Sequence, residues 1–317
     1  MIDAIYQARS RLQQYLSPTP FVRNERLSQQ FSREIYLKRE DLQPVRSYKV
    51  RGALNAAMVS SANSFVSASA GNHAQGVAYA CAQLKKCATI VMPTNTPMQK
   101  QHAVHAVGRE YVDVVLFGST YDEACAYAHS LVNGKVFLHP FDDLNVIAGQ
   151  GTIGLELADK CLDAILVPIG GGGLVSGVGS ALKALSPTTK VVGVQVETAA
   201  SMYYSLEQKR RVTLSSISTF VDGVAVATPG EHTFSFASGV IDDCLLVSER
   251  DVCDALISLY NSDGIVAELA GALSVAAVAQ YVAKYPHATR ICCIVSGGNN
   301  DARRFPQILA RGSNVSS

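Results

Sequence analysis

Short apolar runs rich in β-branched residues alternate with helix-forming segments along almost the entire chain, and this alternation restricts the fold more than any other feature. Several of the runs are apolar on both faces, which is typical of parallel strands buried inside a sheet. The alternation predicts an α/β fold in which mainly parallel sheets are flanked by helices. The predicted strands are residues 35–38, 65–69, 89–92, 111–117, 136–138, 164–169, 191–196, 244–247 and 291–295, and the predicted helices are 53–58, 74–84, 98–107, 121–131, 146–158, 174–185 and 251–260.

The number of predicted strands favours two sheets over one. Nine strands are predicted in 317 residues, and no internal repeat or stretch rich in Pro, Gly or Ser marks a boundary between domains. We therefore expect two interleaved domains, with the chain crossing between them more than once.

The charge balance argues against several classes of partner. The chain has 27 basic and 26 acidic residues and a formal net charge of +1, so neither nucleic acid nor an anionic membrane surface is expected to bind it. The first residues lack the basic and then apolar profile of a signal peptide. The longest weakly polar run, residues 269–283, is too short to span a bilayer and is predicted to be a buried helix.

The cysteines and histidines predict neither a disulfide framework nor a metal site. Eight cysteines occur without a C-x-x-C pair, mostly inside apolar runs, which is typical of reduced cysteines in a cytoplasmic protein. Cys292 and Cys293 should point to opposite faces of their strand. His102 and His105 share one helix face, but no third ligand completes a metal site, so a solvated face is favoured.

Lys49 lies between a strand-like run, residues 35–40, and a helix-like run, residues 53–58. The positive end of a helix and partial burial both lower the pKa of a lysine. Both effects favour the neutral amine that a nucleophilic lysine needs. A surface lysine in a first helical turn is much more common than a nucleophilic one. The choice between these two interpretations of Lys49 therefore depends on the other motifs.

Two turns that lead from a strand into a helix could bind anions. Residues 170–173 are four consecutive glycines, and because a plain turn needs only one or two, the run favours a backbone cup for a phosphate. Residues 67–76 combine small side chains with Asn72 and His73 and could bind a carboxylate or phosphate. An ordinary turn uses the same residue types and is the more frequent case for this second stretch.

Residues 149–154 match the pattern G-x-G-x-x-G of dinucleotide-binding proteins. The pattern is meaningful only directly after a strand, and the preceding residues 142–148 read as loop and helix. No acidic residue follows at the position that a ribose requires. The sequence therefore argues against a nicotinamide-dependent oxidoreductase.

Ser296 follows the last predicted strand, at the end of a strand where open α/β sheets hold ligands. Taken alone, a serine before glycines is a weak indication of a site.

Together these stretches resemble the fold-type II pyridoxal-phosphate enzymes, and in particular the threonine dehydratases, also called threonine ammonia-lyases. The motif sequences are similar to those in the catalytic part of the biosynthetic, branched-chain-amino-acid type. Matching motifs follow the family order over nearly the whole chain: residues 37–43, 47–53, 67–76, 139–143, 147–152, 170–174, 222–225 and 296–300. The resemblance implies a tryptophan synthase β-like fold with a large cofactor-binding domain, residues 1–52 and 140–317, and a small inserted domain, residues 53–139.

The resemblance also implies a role for each matching residue. Lys49 would carry pyridoxal 5'-phosphate as a Schiff base and, once released by the substrate, take the Cα proton. Tyr48 would stack on the ring, Asn72 would bond the 3-hydroxyl, and Ser296 would bond the pyridine nitrogen. The phosphate would lie on backbone N–H groups of Gly170, Gly171, Gly172, Gly173 and Leu174, and the substrate carboxylate on the loop of Ser69, Ala70, Gly71, Asn72 and His73.

The implied reaction is the dehydration and deamination of L-threonine to 2-oxobutyrate and ammonia, with L-serine as a weaker substrate. A neutral Ser296 makes the ring a weak electron sink, which suits elimination better than transamination. Serine dehydratase and serine racemase are the alternatives within the family. Racemases have a serine as the base at the position of Ala70, so Ala70 argues against racemisation.

Several positions depart from the usual family pattern. Tyr48 replaces a phenylalanine, and Tyr203 replaces the aspartate of a divalent-cation site of which Glu197 remains. Glu268 occupies the glutamate position of a Glu-Pro-Ala-Gly motif. Biosynthetic relatives normally continue into a regulatory domain, whereas 18 residues follow Asn299 here, so insensitivity to isoleucine is expected. A cytoplasmic homodimer or homotetramer is expected.

Overall fold

The computed structural model describes residues 1–312 and contains ten strands in two sheets in that range. The strands are β1 Phe21–Arg23, β2 Glu34–Arg39, β3 Ser64–Ala68, β4 Cys87–Met92, β5 Val112–Leu116, β6 Val136–Phe137, β7 Ala164–Pro168, β8 Lys190–Val196, β9 Asp243–Val247 and β10 Arg290–Val295. A six-stranded sheet has the order β1-β2-β10-β7-β8-β9, and a four-stranded sheet has the order β5-β4-β3-β6.

The helices flank both sheets, and some of them cover the two faces of the larger sheet. They are α1 Ile2–Leu12, α2 Glu25–Phe31, α3 Lys49–Val59, α4 Asn72–Leu84, α5 Met98–Gly108, α6 Tyr121–Ser130, α7 Leu144–Leu157, α8 Gly173–Leu185, α9 Ser201–Glu207, α10 Glu231–Val240, α11 Glu249–Asp263, α12 Leu269–Ala276, α13 Val278–Lys284 and α14 Phe305–Arg311. Side chains of α7 and α8 pack on one face of this sheet, and side chains of α11, α12 and α13 pack on the other.

The pairing of the strands is parallel except at one edge. Ile291 of β10 lies opposite Ile35 of β2 and Ala164 of β7, both in parallel register, while β1 runs antiparallel to β2. Adjacent Cys292 and Cys293 belong to the two different apolar clusters on the faces of this sheet, as their alternation predicts. The predicted α/β class with two mainly parallel sheets is therefore confirmed.

The smaller sheet is built entirely from one continuous part of the chain. Its four strands, β3 to β6, lie between Ser64 and Phe137 and are all parallel. The six strands of the larger sheet come from before and after this part. The division into residues 1–52 with 140–317 and an inserted unit, residues 53–139, stays a prediction.

The three glycines of residues 149–154 lie inside α7, where they serve helix packing. A Cβ on Gly149 would approach the backbone of Arg51 and Gly52 in α3, and one on Gly154 would approach Val178 in α8. Small side chains at these positions let three helices pack closely around α7. The structure thus removes the motif on which the nicotinamide alternative rested.

Four charged side chains, three of them buried and Glu156 partly buried, meet where α3 and α7 approach the end of β2. The guanidinium of Arg51 donates to both carboxylate oxygens of Glu40, at 2.8 and 2.9 Å, and to Glu156 at 2.6 and 3.1 Å. Lys38, which is 1% exposed, also pairs with Glu156 and donates to the carbonyl of Thr19. Two positive and two negative charges thus compensate each other. Because Arg51 belongs to α3, these contacts also hold the start of this helix in place, two residues after Lys49.

The structure also bears on membrane helices, disulfides and metal sites, and it describes the residues concerned. Within residues 1–312, no helix is long and apolar enough to cross a membrane, and no group of three or more His, Cys, Asp or Glu side chains could hold a metal ion. All eight cysteines are free. His102 and His105 are both exposed on α5.

Candidate active site

The candidate residues gather at the carboxyl ends of β3, β7 and β10, where parallel sheets commonly bind ligands. Ser69 follows β3, Gly170 lies just beyond β7, and Ser296 follows β10. The loop before Lys49 is fixed to the last of these, because the Tyr48 N–H donates to the Ser296 carbonyl at 3.1 Å and Ser47 bridges to Gly297. Stretches that are far apart in the sequence therefore meet in one place.

Lys49 is the first residue of α3, and its side chain is partly buried. Its Nζ donates to the Pro140 carbonyl at 2.8 Å and lies 5.3 Å from the centroid of the Tyr48 ring. Burial lowers the pKa of Lys49 to about 8, although the negative charge of Glu268 acts in the opposite direction. A substantial fraction of neutral amine is therefore present near pH 8, as a lysine nucleophile requires.

The glycine run forms a tight turn between β7 and α8. Gly172 has a φ of +97°, in the region that favours glycine, and Gly173 begins the helix. A Cβ on Gly171 would overlap the ring of Phe141, so the backbone is packed too closely for any side chain. The Gly171 carbonyl accepts a hydrogen bond from Thr233 Oγ1 at 2.6 Å. The turn can present N–H groups at the start of α8 to an anion.

Asn72 begins α4 and is held at both ends of its amide. Its Nδ2 donates to Glu268 Oε1 at 2.6 Å, and its Oδ1 accepts from Asn299 Nδ2 at 2.8 Å. Burial, followed by the nearby charge of Asp222, raises the pKa of Glu268 to about 7. The sequence predicted Asn72 as a site residue but assigned no role to Glu268 or Asn299.

The ring of His73 is buried and neutral. Its Nε2 bonds the Leu138 carbonyl at 3.0 Å, while its buried Nδ1 has no hydrogen-bond partner within the described range. Burial, followed by the charge of Lys49, lowers the pKa of His73 to about 3. At neutral pH this ring carries no positive charge, so its interaction with an anion depends on the backbone N–H of His73 rather than on an imidazolium.

The remaining predicted residues line the same region. Gly71 caps α4, and its N–H donates to Ser69 Oγ at 3.2 Å. Ala70 lies between them and contributes a methyl group without a proton to exchange. Ser296 is 3% exposed, and its hydroxyl donates to the Ala270 carbonyl at 3.2 Å.

His139 belongs to the site region but was not singled out from the sequence. Its Nδ1 accepts backbone N–H groups of Phe141 and Asp142, at 3.2 and 2.8 Å, and this shapes the turn that presents the Pro140 carbonyl to Lys49. Burial, opposed by Asp142, lowers the pKa of His139 to about 4. Only the family motif at residues 139–143 pointed to this turn, because nothing in the local pattern does.

Comparisons with known proteins agree with this arrangement. The chain is 44% identical to the biosynthetic L-threonine dehydratase IlvA of Bacillus subtilis (strain 168), over 98% of this chain and 75% of that protein. The processed form of threonine deaminase isoform 2 from Solanum lycopersicum superposes with a TM-score of 0.91 at 39% identity, covering 98% of this chain and 93% of that one. Maize serine racemase superposes with a TM-score of 0.90 at 28% identity, covering 98% and 97%.

The family model described as pyridoxal-phosphate dependent enzyme matches residues 12–297, which include every site residue predicted from the sequence, from Tyr48 to Ser296. Together with these relatives, the match shows that the chain belongs to the pyridoxal-phosphate dependent enzymes.

Proposed function

We propose that the chain is a threonine ammonia-lyase that converts L-threonine to 2-oxobutyrate and ammonia, and that L-serine is a weaker substrate. The observation that carries the proposal is a partly buried lysine with a pKa of about 8 beside a four-glycine turn, in a chain 44% identical to a biosynthetic L-threonine dehydratase. A single methyl group in a pocket discriminates by only about 1–3 kcal/mol, so serine should still react.

The residues of the site fit pyridoxal phosphate. The four glycines at 170–173 have no room for side chains, and with Leu174 they offer N–H groups at a helix N-terminus, which suits a phosphate. Lys49 is the partly buried amine that an aldehyde would meet, and Ser296 supplies a neutral hydroxyl for a ring nitrogen. When bound, the cofactor supplies the electron sink that makes the Cα–H bond of an amino acid acidic.

The protein's own residues then handle protons and orientation. Lys49 Nζ takes the Cα proton, and the hydrogen bond to the Pro140 carbonyl keeps this amine at one place in the site. Backbone N–H groups at the start of α4, in residues 69–73, bind the substrate carboxylate. The Tyr48 ring, 5.3 Å from Lys49 Nζ, covers one side of the reacting atoms.

The racemase alternative rests on the likeness to maize serine racemase. A racemase needs a second acid–base group on the face opposite to Lys49, and the resemblance assigns that position to Ala70. A methyl group cannot exchange a proton. The site therefore supports elimination over inversion.

Products from a panel of β-hydroxy amino acids test the proposal. We expect 2-oxobutyrate from L-threonine, pyruvate from L-serine at a kcat/KM about 10- to 200-fold lower, and no D-amino acid. The measurement is chromatographic identification of the 2-oxo acids together with chiral analysis of unreacted substrate. D-serine without pyruvate would instead establish a racemase, and pyruvate formed faster than 2-oxobutyrate would make serine the preferred substrate.

Substitution of Gly171 tests the phosphate cup. Gly171→Asp introduces a side chain against Phe141 and a negative charge, and we expect the dissociation constant for pyridoxal phosphate to rise by more than about tenfold, which is 1.4 kcal/mol. Gly239→Asp is the matched control, because a Cβ on Gly239 meets nothing within 4 Å. Cofactor absorbance after dialysis and far-ultraviolet circular dichroism separate loss of binding from unfolding. A folded Gly171→Asp protein with unchanged affinity would contradict the assignment.

Two further proposals concern the setting of the enzyme. We propose a homodimer or homotetramer in the cytoplasm, and the eight free cysteines support the proposed compartment. Sedimentation equilibrium measures the assembly directly.

A further inference from the structure

Glu268 is a buried carboxylate in the candidate site. The residue is 8% exposed and precedes α12, and its backbone N–H donates to the Gly297 carbonyl at 3.0 Å. The carboxylate accepts the Asn72 amide at 2.6 Å across 196 residues of sequence. Charged carboxylates are rarely buried without a paired cation. Its closest polar partner here is a neutral amide, which suggests a role other than the support of the fold.

The hydrogen bonds around Asn72 define the orientation of its amide. Asn299 Nδ2 donates both to Asn72 Oδ1 and to the Val45 carbonyl, each at 2.8 Å. The Asn72 oxygen therefore faces Asn299, and its nitrogen faces Glu268. An amide nitrogen carries two hydrogens, and the bond to Glu268 uses one of them. The second hydrogen can be donated to a ligand, and its direction is set by the first bond.

We propose that Glu268 is a positioning residue that holds the Asn72 amide so that its second N–H is donated to the 3-oxygen of the cofactor ring. Its charge also acts on Lys49, because Glu268 and the loop before Lys49 both bond Gly297. This inference rests on the proposed cofactor-binding role of Asn72. It adds a group that acts through Asn72 and through charge, without contact with the cofactor.

Charged groups from three other parts of the chain act on the Glu268 carboxylate. Asp222 favours its protonation, and Lys100 on α5 and Arg46 in the loop before α3 oppose it. In turn, burial lowers the pKa of Lys49 and the charge of Glu268 opposes this shift, whereas burial raises the pKa of Tyr48 and the charge of Glu268 adds to it. With a pKa of about 7, Glu268 is mostly negative above pH 7 and mostly neutral below it. As the pH falls through 7, the lysine nitrogen therefore loses a neighbouring negative charge.

Two substitutions separate the hydrogen bond from the charge. Glu268→Gln keeps an oxygen that accepts from Asn72 but removes the charge, whereas Glu268→Ala removes both. We expect Glu268→Gln to bind pyridoxal phosphate within about threefold of the unmodified protein and to lose the change in cofactor absorbance near pH 7. We expect Glu268→Ala to raise the dissociation constant about tenfold, which corresponds to 1.4 kcal/mol.

A double-mutant cycle with Asn72→Ala tests whether Glu268 acts through Asn72. If it does, the combined variant binds the cofactor no more weakly than Asn72→Ala alone, because residues in one hydrogen-bonded chain are not additive. Additive losses, or a Glu268→Gln protein that keeps the absorbance change near pH 7, would overturn the proposal. Circular dichroism of each variant without cofactor verifies folding. None of these measurements uses threonine, so an error in the proposed substrate would not alter their outcome.

Discussion

Lys49→Ala is expected to lower kcat for threonine by more than about 10³-fold, since one positioned acid–base group alone contributes about 10²–10⁴. The substitution also removes the amine to which the cofactor would attach. Borohydride reduction followed by peptide mass mapping should therefore find reduced cofactor on Lys49 in the unmodified protein and none on the variant. The large effect follows from the position of this amine, which is partly buried and has a pKa of about 8.

A second lysine provides the control for this experiment. Lys190 has a side chain that is 61% exposed and pairs with Asp242, away from the glycine turn. Lys190→Ala should retain full activity and the label on Lys49. Reduced cofactor on another lysine of the Lys49→Ala protein would show that the assignment is wrong.

Arg51→Met is expected to lower the free energy of unfolding by about 3–5 kcal/mol, because it leaves buried carboxylates without their cation. Glu40, fully buried, would lose two hydrogen bonds to the guanidinium. Urea denaturation at pH 7, followed by circular dichroism, measures the difference. The double variant Glu40→Gln/Arg51→Met should recover a large part of the loss, since the remaining Lys38–Glu156 pair is balanced.

The pH dependence of stability has a defined sign at this network. Burial would raise the pKa of Glu40, but the charge and hydrogen bonds of Arg51 hold it below its usual value of 4.5. Glu40 therefore contributes stability above about pH 4.5, and this contribution is lost as the pH falls through the lower pKa of the folded state.

Lys183→Met is the control for Arg51→Met. At a partly exposed pair with Asp242, it should lower the free energy of unfolding by no more than about 1 kcal/mol. A similarly small loss for Arg51→Met would contradict the structural role of the network.

The sequence predicted the strands and helices that a local residue pattern identifies. Every predicted strand overlaps an observed one because its apolar run is long enough to read. The three-residue β1 was missed, since its residues are mostly exposed and too few to show a pattern. The predicted helix at residues 269–283 divides at Ala277 into α12 and α13. No Gly or Pro marks that break, so packing rather than local propensity determines it.

The candidate site was predictable only where one short stretch carries the chemistry. Lys49 and the glycine run stand out because their residue types are costly or unusual at those places. Glu268 and His139 show no such local signal, and each gains its role from contacts with distant residues, such as the 196-residue separation of Glu268 from Asn72. Such pairings depend on the crossing of the chain between sheets, which composition and periodicity do not encode.

The position of β10 has a consequence for synthesis on the ribosome. This strand pairs with β2 on one side and β7 on the other, yet it is translated after the other nine strands described in residues 1–312. At about 5–20 residues per second, β2 waits on the order of tens of seconds for its neighbour. During that time β2 and β7 expose unpaired backbone groups on which a nascent chain can aggregate. The four strands of the smaller sheet emerge consecutively and can pair early, so we expect the nascent chain to need chaperone protection mainly at the unfinished larger sheet.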